Sequence, residues 1–167
     1  MSTLSSAIRL TGAAAQESAA GLARLVAERG MTVATAESLT AGTIASVLAA
    51  APDATTWLRG SVVAYSPEVK FGLLGVPRGP VVTRECALTM ARATAALLGA
   101  DVCVAVTGLG GPDPDPGEEA PPGTVWFAVV GPADREQAER HLFDGDPVDV
   151  LAATTERALA LLREALA

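Results

Sequence analysis

Hydrophobic and polar positions alternate between helical and strand periods along most of the chain. Leu22, Leu25 and Val26 recur at helical spacing in an Ala-dense run, which predicts a helix over residues 13–29 with Gly30 as its stop. Residues 31–36 read as a buried strand, and residues 41–50 as a helix halted before Pro52. β-branched residues mark a second strand over 60–65, followed by a short helix over 67–74 with Ser66 as cap and Pro67 in its first turn. Thr83 caps a long helix over 84–98, ended by Gly99. Residues 101–107 are nearly all apolar, as a strand buried on both faces requires. Residues 123–130 and 135–143 read as strands joined by the turn Gly131-Pro132-Ala133-Asp134, an antiparallel hairpin. A helix over 147–166 closes the chain.

This order predicts an α/β fold, with a mostly parallel sheet, helices on both faces and a terminal hairpin that makes the sheet mixed. At 167 residues the expectation is one domain over 13–167 behind a loose lead-in over 1–12. The 15-residue connection from Gly108 to Pro122 is rich in Gly and Pro. Loops of that length inside compact domains carry function or stay disordered. Its glycines allow close approach of backbone to a ligand, and its acidic middle, residues 113–119, reads as a mobile solvated bulge.

Charge narrows the function. Twelve Lys+Arg stand against 19 Asp+Glu, a net charge of −7, so a phosphate-backbone partner is not expected. No apolar run reaches the length of a membrane span, and the first residues lack the apolar core of a signal peptide; a cytoplasmic protein is expected, as fits reduced cysteines. Cys86 and Cys103 lack metal-ligand spacing and read as buried reduced thiols. The one histidine, His141, has no Ser or Asp pattern around it; neither a Ser-His-Asp triad nor a metal site is expected.

Three segments fall just past C-terminal strand ends, where open α/β sheets bind ligands: Glu37-Ser38 with Thr40-Ala41-Gly42, Tyr65 to Lys70, and Thr107 to Gly111. Ser38 sits beside a helix N-terminus, where a hydroxyl serves either as nucleophile or, like Thr40, as helix cap. Lys70 is the only lysine among twelve basic residues. A buried lysine loses its proton as arginine does not, so Lys70 is a candidate general base for Ser38; the alternative is a lone surface lysine. Tyr65, the only tyrosine, could orient Lys70, shuttle a proton or stack on a substrate ring. Thr107 could donate to substrate or simply bond loop backbone. Glu37 reads as a base or as a charge at the helix terminus, ranked below Lys70 because alternation points it away from Ser38.

Together these segments resemble the CinA C-terminal domain family. Ala36 to Gly42 match Ala-Glu-Ser-Cys-Thr-Gly-Gly, with Leu39 for Cys and Ala41 for the first Gly. Residues 60–76 match a Gly-Gly-Val-Val-x-Tyr-Ser-Asn-x-x-Lys-x-x-x-Leu-Gly-Val pattern, with Ser61 and Pro67 as departures. Thr107 to Pro112 and Pro121 to Trp126 match the third and fourth motifs, and the likeness covers about residues 15–165. The resemblance implies a three-layer α/β/α fold and a nicotinamide mononucleotide amidohydrolase, which releases ammonia and nicotinate mononucleotide without metal or cofactor. It also implies a catalytic cluster of Ser38, Tyr65, Lys70 and Thr107. Substrate contacts would come from Glu37, Thr40, Ala41, Gly42, Gly108, Gly110 and Gly111. The partner implied is a pyridine mononucleotide; from the residues themselves, Ala-rich helices suit association with further copies of the chain, and charge and hydropathy speak for neither nucleic acid nor membrane. Two arginines that the family carries at the start of the last helix are Pro147 and Leu151 here. That departure leaves two alternatives to mononucleotide deamidation. One is a non-catalytic domain binding a small nucleotide or a protein, and the other an amidase for a substrate lacking phosphate. Arg84, Arg59 or an arginine of a neighbouring subunit could take the phosphate in place of the missing pair.

Overall fold

A computed structural model describes residues 12–167; the lead-in expected over residues 1–12 lies outside the described residues except for Gly12. The elements are α1 (Ala13–Arg29), β1 (Val33–Glu37), α2 (Thr43–Ala49), α3 (Ala54–Trp57), β2 (Leu58–Val63), α4 (Pro67–Leu74), α5 (Arg84–Leu98), β3 (Val102–Gly108), β4 (Thr124–Gly131), β5 (Arg135–Leu142) and α6 (Pro147–Leu166). Every expected element is present, with ends shifted by at most two residues. The expected caps at Ser66 and Thr83 accept from Glu68 N at 3.2 Å and Cys86 N at 3.1 Å. Helix α3 was not expected: four residues are too few to show a period.

The five strands form one mixed sheet in the order β2-β1-β3-β4-β5. β1 runs parallel to both β2 and β3, while β4 and β5 are antiparallel additions. Alternation along the strands divides the core in two. Val33, Val102, Val104, Val106, Val125, Phe127 and Val129 pack with α1, α2 and α6 on one face. Ala34, Ala36, Cys103, Ala105 and Ala128 face α5, whose Cys86, Ala87, Met90 and Ala91 come down on them. Small side chains on that second face let the helix approach closely, which is what an Ala-rich, aromatic-poor chain is suited to. The result is a three-layer α/β/α sandwich. Cys86 and Cys103 are buried free thiols within it. No helix among the described residues is long and apolar enough to cross a membrane.

Register positions the chemistry. Glu37 pairs with Val63 on one side and Val106 on the other, so Ser38, Ala64 and Thr107 lie one step further at a common edge. The three parallel strands therefore deliver their following loops to the same end of the sheet.

Candidate active site

At that edge lies a cleft of about 470 Å³ lined by Ser38, Tyr65, Lys70, Thr107, Gly108, Gly110 and Gly111, among others. Three segments far apart in sequence thus meet in one place. Ser38 is 6 % exposed, and its hydroxyl has no partner among the described residues. Lys70 is 2 % exposed, an unusual depth for an ammonium. Its Nζ donates to the Tyr65 carbonyl at 3.5 Å and makes no ion pair among the described residues. Burial pushes the Lys70 pKa below the lysine range, and the negative charges of Glu118 and Asp115 oppose this. Cys86 lies close by, but burial pushes its thiol up to about 11, so near neutral pH it lends Lys70 no charge. Tyr65 itself is largely exposed at the cleft mouth and meets Lys70 through its carbonyl rather than its phenol.

Several expected roles change. Glu37 does not line the cleft; its fully buried carboxylate caps α2 from upstream. It accepts from Thr40 Oγ1 at 2.7 Å, Gly42 N at 3.0 Å, Ile44 N at 3.1 Å and Ala45 N at 2.8 Å. Of the two expected readings, the charge at the helix terminus is the one realised, and neither Ser38 nor Thr40 caps the helix. Ser61, where the family pattern has Gly, joins this network: it accepts from Thr35 Oγ1 at 2.7 Å and reaches Glu37 at 3.4 Å.

Thr40, Ala41 and Gly42 also stand outside the cleft lining. The Thr40 hydroxyl and Gly42 N–H are spent on Glu37, and Ala41 N donates to Ser38 O at 3.0 Å. The N–H groups of Leu39, Gly110 and Gly111, all cleft residues, have no acceptor among the described residues. Those three, rather than residues 40–42, are among the donors the cleft can offer. Thr107 donates its proton to Val81 O at 2.9 Å, the backbone-bonding alternative, so toward the cleft its hydroxyl can only accept. His141 lies on β5, 2.8 Å from Glu139 and stacked on Phe143, and takes no part in the cleft.

The long loop is tethered rather than a free bulge. Leu109 N donates to Thr124 O at 2.9 Å and Gly123 N to Leu109 O at 2.8 Å, closing its base. Glu118 then accepts from Val81 N at 2.6 Å and Val82 N at 3.1 Å. Its carboxylate thereby fixes the segment whose carbonyl holds Thr107. Nothing in the local sequence marks Glu118, since its partners lie more than 35 residues upstream. Gly108 is required by packing: a Cβ there would lie 2.5 Å from the Thr124 carbonyl oxygen.

Ala41 sits at φ 48°, a left-handed conformation that a Cβ disfavours. Ala41→Gly is therefore expected to stabilise the fold by about 1 kcal/mol, a rise of about 3 °C in Tm by thermal melt.

Residues 15–166 match the CinA C-terminal domain family. A CinA-like protein of Geobacter metallireducens is 38% identical over 150 residues, covering 87% of this chain and 36% of that protein. A putative competence-damage inducible protein of Shouchella clausii is 43% identical over 113 residues, 65% of this chain and 27% of that protein. The chain thus spans about a third of the length of these curated relatives. Among solved structures, competence damage-inducible protein A of Klebsiella pneumoniae superposes with a TM-score of 0.84 at 35% identity, covering 90% of this chain and 95% of that one. A CinA superfamily protein of Enterobacter cloacae gives a TM-score of 0.86 at 28% identity, covering 92% of each. The fold agrees with these likenesses, and the chain belongs to the CinA C-terminal domain family.

Proposed function

We propose that the cleft hydrolyses the carboxamide of nicotinamide mononucleotide or a close pyridinium relative through a Ser38–Lys70 pair. One observation carries this reading: a buried hydroxyl without a partner among the described residues and a buried lysine, its pKa lowered by burial, line one cleft at the carboxyl edge of three parallel strands. A buried lysine whose one hydrogen bond among the described residues goes to a neutral carbonyl is well suited to exist as a free amine.

In the proposed reaction Lys70 Nζ leaves the Tyr65 carbonyl and takes the proton from Ser38 Oγ. The oxygen attacks the amide carbon. The oxyanion that forms accepts from N–H groups at Leu39 and Gly110–Gly111, each such donor contributing about 3 kcal/mol to the transition state. The Lys70 ammonium returns its proton to nitrogen as the C–N bond breaks and ammonia departs. Lys70 then activates water against the Ser38 ester, which releases the carboxylate and restores the serine. Thr107 keeps Val81 and the cleft floor in place rather than supplying a proton.

Ammonia release from nicotinamide mononucleotide and nicotinamide riboside, followed against pH, tests this. Turnover is expected to rise with pH along a limb below the ordinary lysine range, since only the neutral amine acts as base. Asp115 holds negative charge near Lys70 and raises its pKa, so Asp115→Asn is expected to shift that limb to lower pH. No turnover of either compound above the uncatalysed rate, at any pH, would refute the amidase reading.

A further inference from the structure

Among the described residues, no cationic side chain but Lys70 lines the cleft to meet the phosphate end of a mononucleotide, and the free N–H groups of Leu39, Gly110 and Gly111 are those that the amidase reading gives to the oxyanion. A phosphate monoester carries about −1.5 to −2 charges at neutral pH and is normally clamped by guanidinium groups or helix N-termini. Among the described residues no arginine lines the cleft; Arg59 and Arg84 both lie outside it. Lys70, the one cationic side chain lining the cleft among the described residues, shares that lining with Asp113 and Asp115 and feels the negative charges of Glu118 and Asp115.

The N-termini of α2, α4 and α6 are already taken. Pro147 and Leu151, both cleft residues, belong to the first turns of α6. There the Asp146 carboxylate accepts from Val148 N at 2.9 Å and Asp149 N at 3.0 Å, and Asp149 accepts from Asp146 N at 3.2 Å. Two carboxylates thus occupy the place where an anion would dock. At α2 the N–H groups belong to Glu37, and at α4 Pro67 offers none while Ser66 takes that of Glu68. The remaining wall is apolar: a Cβ on Gly110 would lie 3.5 Å from Leu39 Cδ1 and 4.0 Å from Leu151 Cδ2, so two leucines converge beside the glycine loop.

We propose that the cleft selects pyridinium carboxamides whose ring nitrogen carries an uncharged sugar or alkyl group, and discriminates against the phosphorylated form. Acidic loop residues suit the positive ring and repel phosphate, while Leu39 and Leu151 cover an uncharged substituent. This rests on the amidase reading above for where the carboxamide lies.

The test separates the two. Nicotinamide riboside and nicotinamide mononucleotide are titrated calorimetrically into the Ser38→Ala protein at low and high salt, and ammonia release by the unaltered protein is measured for both. The riboside is expected to bind at least tenfold more tightly, with the gap narrowing as salt screens the loop charges, and to show the higher kcat/KM. In a folded Pro147→Arg/Leu151→Arg protein the gap is expected to close. Equal or tighter binding of the mononucleotide, or binding of neither compound, overturns the proposal. Tighter riboside binding with no ammonia from either compound upholds the selectivity and removes the amidase reading instead.

Discussion

Lys70→Met is expected to give a folded protein whose ammonia release falls by at least about a thousandfold. The size follows from the role: without a base the Ser38 hydroxyl keeps its proton, and no histidine lines the cleft to replace Lys70. Stability should move the other way. Lys70 is 2 % exposed and makes no ion pair among the described residues, so its ammonium is costly to bury. Methionine keeps the length without the charge, and a gain of about 1 kcal/mol, or about 3 °C in Tm, is expected. Because burial lowers the Lys70 pKa in the folded state, the unfolded chain holds the proton more tightly. The unaltered protein therefore gains stability as pH rises from the folded pKa toward the ordinary lysine value, and the advantage of Lys70→Met shrinks over that window. Thermal melts and ammonia assays on the same samples check both halves. A destabilised protein that retains turnover would place Lys70 among structural residues.

Glu37→Ala is expected to be the most damaging single change to the fold, costing about 4 kcal/mol and lowering Tm by about 10 °C. Its carboxylate gathers three backbone N–H groups and the Thr40 hydroxyl at zero exposure, with Thr35 and Ser61 at 3.2 and 3.4 Å. Removing it orphans the first turn of α2 and a group of buried hydroxyls in one step. Glu37→Gln keeps the shape but turns an amide N–H₂ toward some of the same donors, so about half the loss is expected. Denaturant unfolding distinguishes the roles: a Glu37→Ala protein as stable as its parent would contradict the capping assignment.

The sheet was legible because its strands obey simple rules. Residues 101–107 are apolar throughout, as a strand covered on both faces must be, and Gly131 to Asp134 provide turn chemistry between two alternating runs. The cleft was legible in outline for a related reason: parallel strands carry their following residues to one edge, so Ser38, Tyr65, Lys70 and Thr107 were bound to approach one another. What the residues did could not be read so directly. Glu37 follows an apolar strand, and only the path of residues 38–42 shows that its carboxylate turns back beneath α2 while Ser38 faces the cleft. Thr107 gives its proton to Val81, 26 residues earlier, and Glu118 holds Val81 and Val82 from a loop that reads as solvated. Such contacts depend on where a loop folds back and leave no period or motif. The two missing arginines were visible, whereas the carboxylates capping α6 and the leucines beside Gly110 emerged only in three dimensions.

Ammonia release by Ser38→Ala, measured beside the unaltered protein on nicotinamide riboside and nicotinamide mononucleotide, bears most directly on the chemistry. With the hydroxyl gone and the cleft otherwise intact, the variant is expected to bind as before and to release no ammonia above the uncatalysed rate. Turnover within tenfold of the unaltered protein would show that the amide bond is broken without Ser38 and contradict the mechanism.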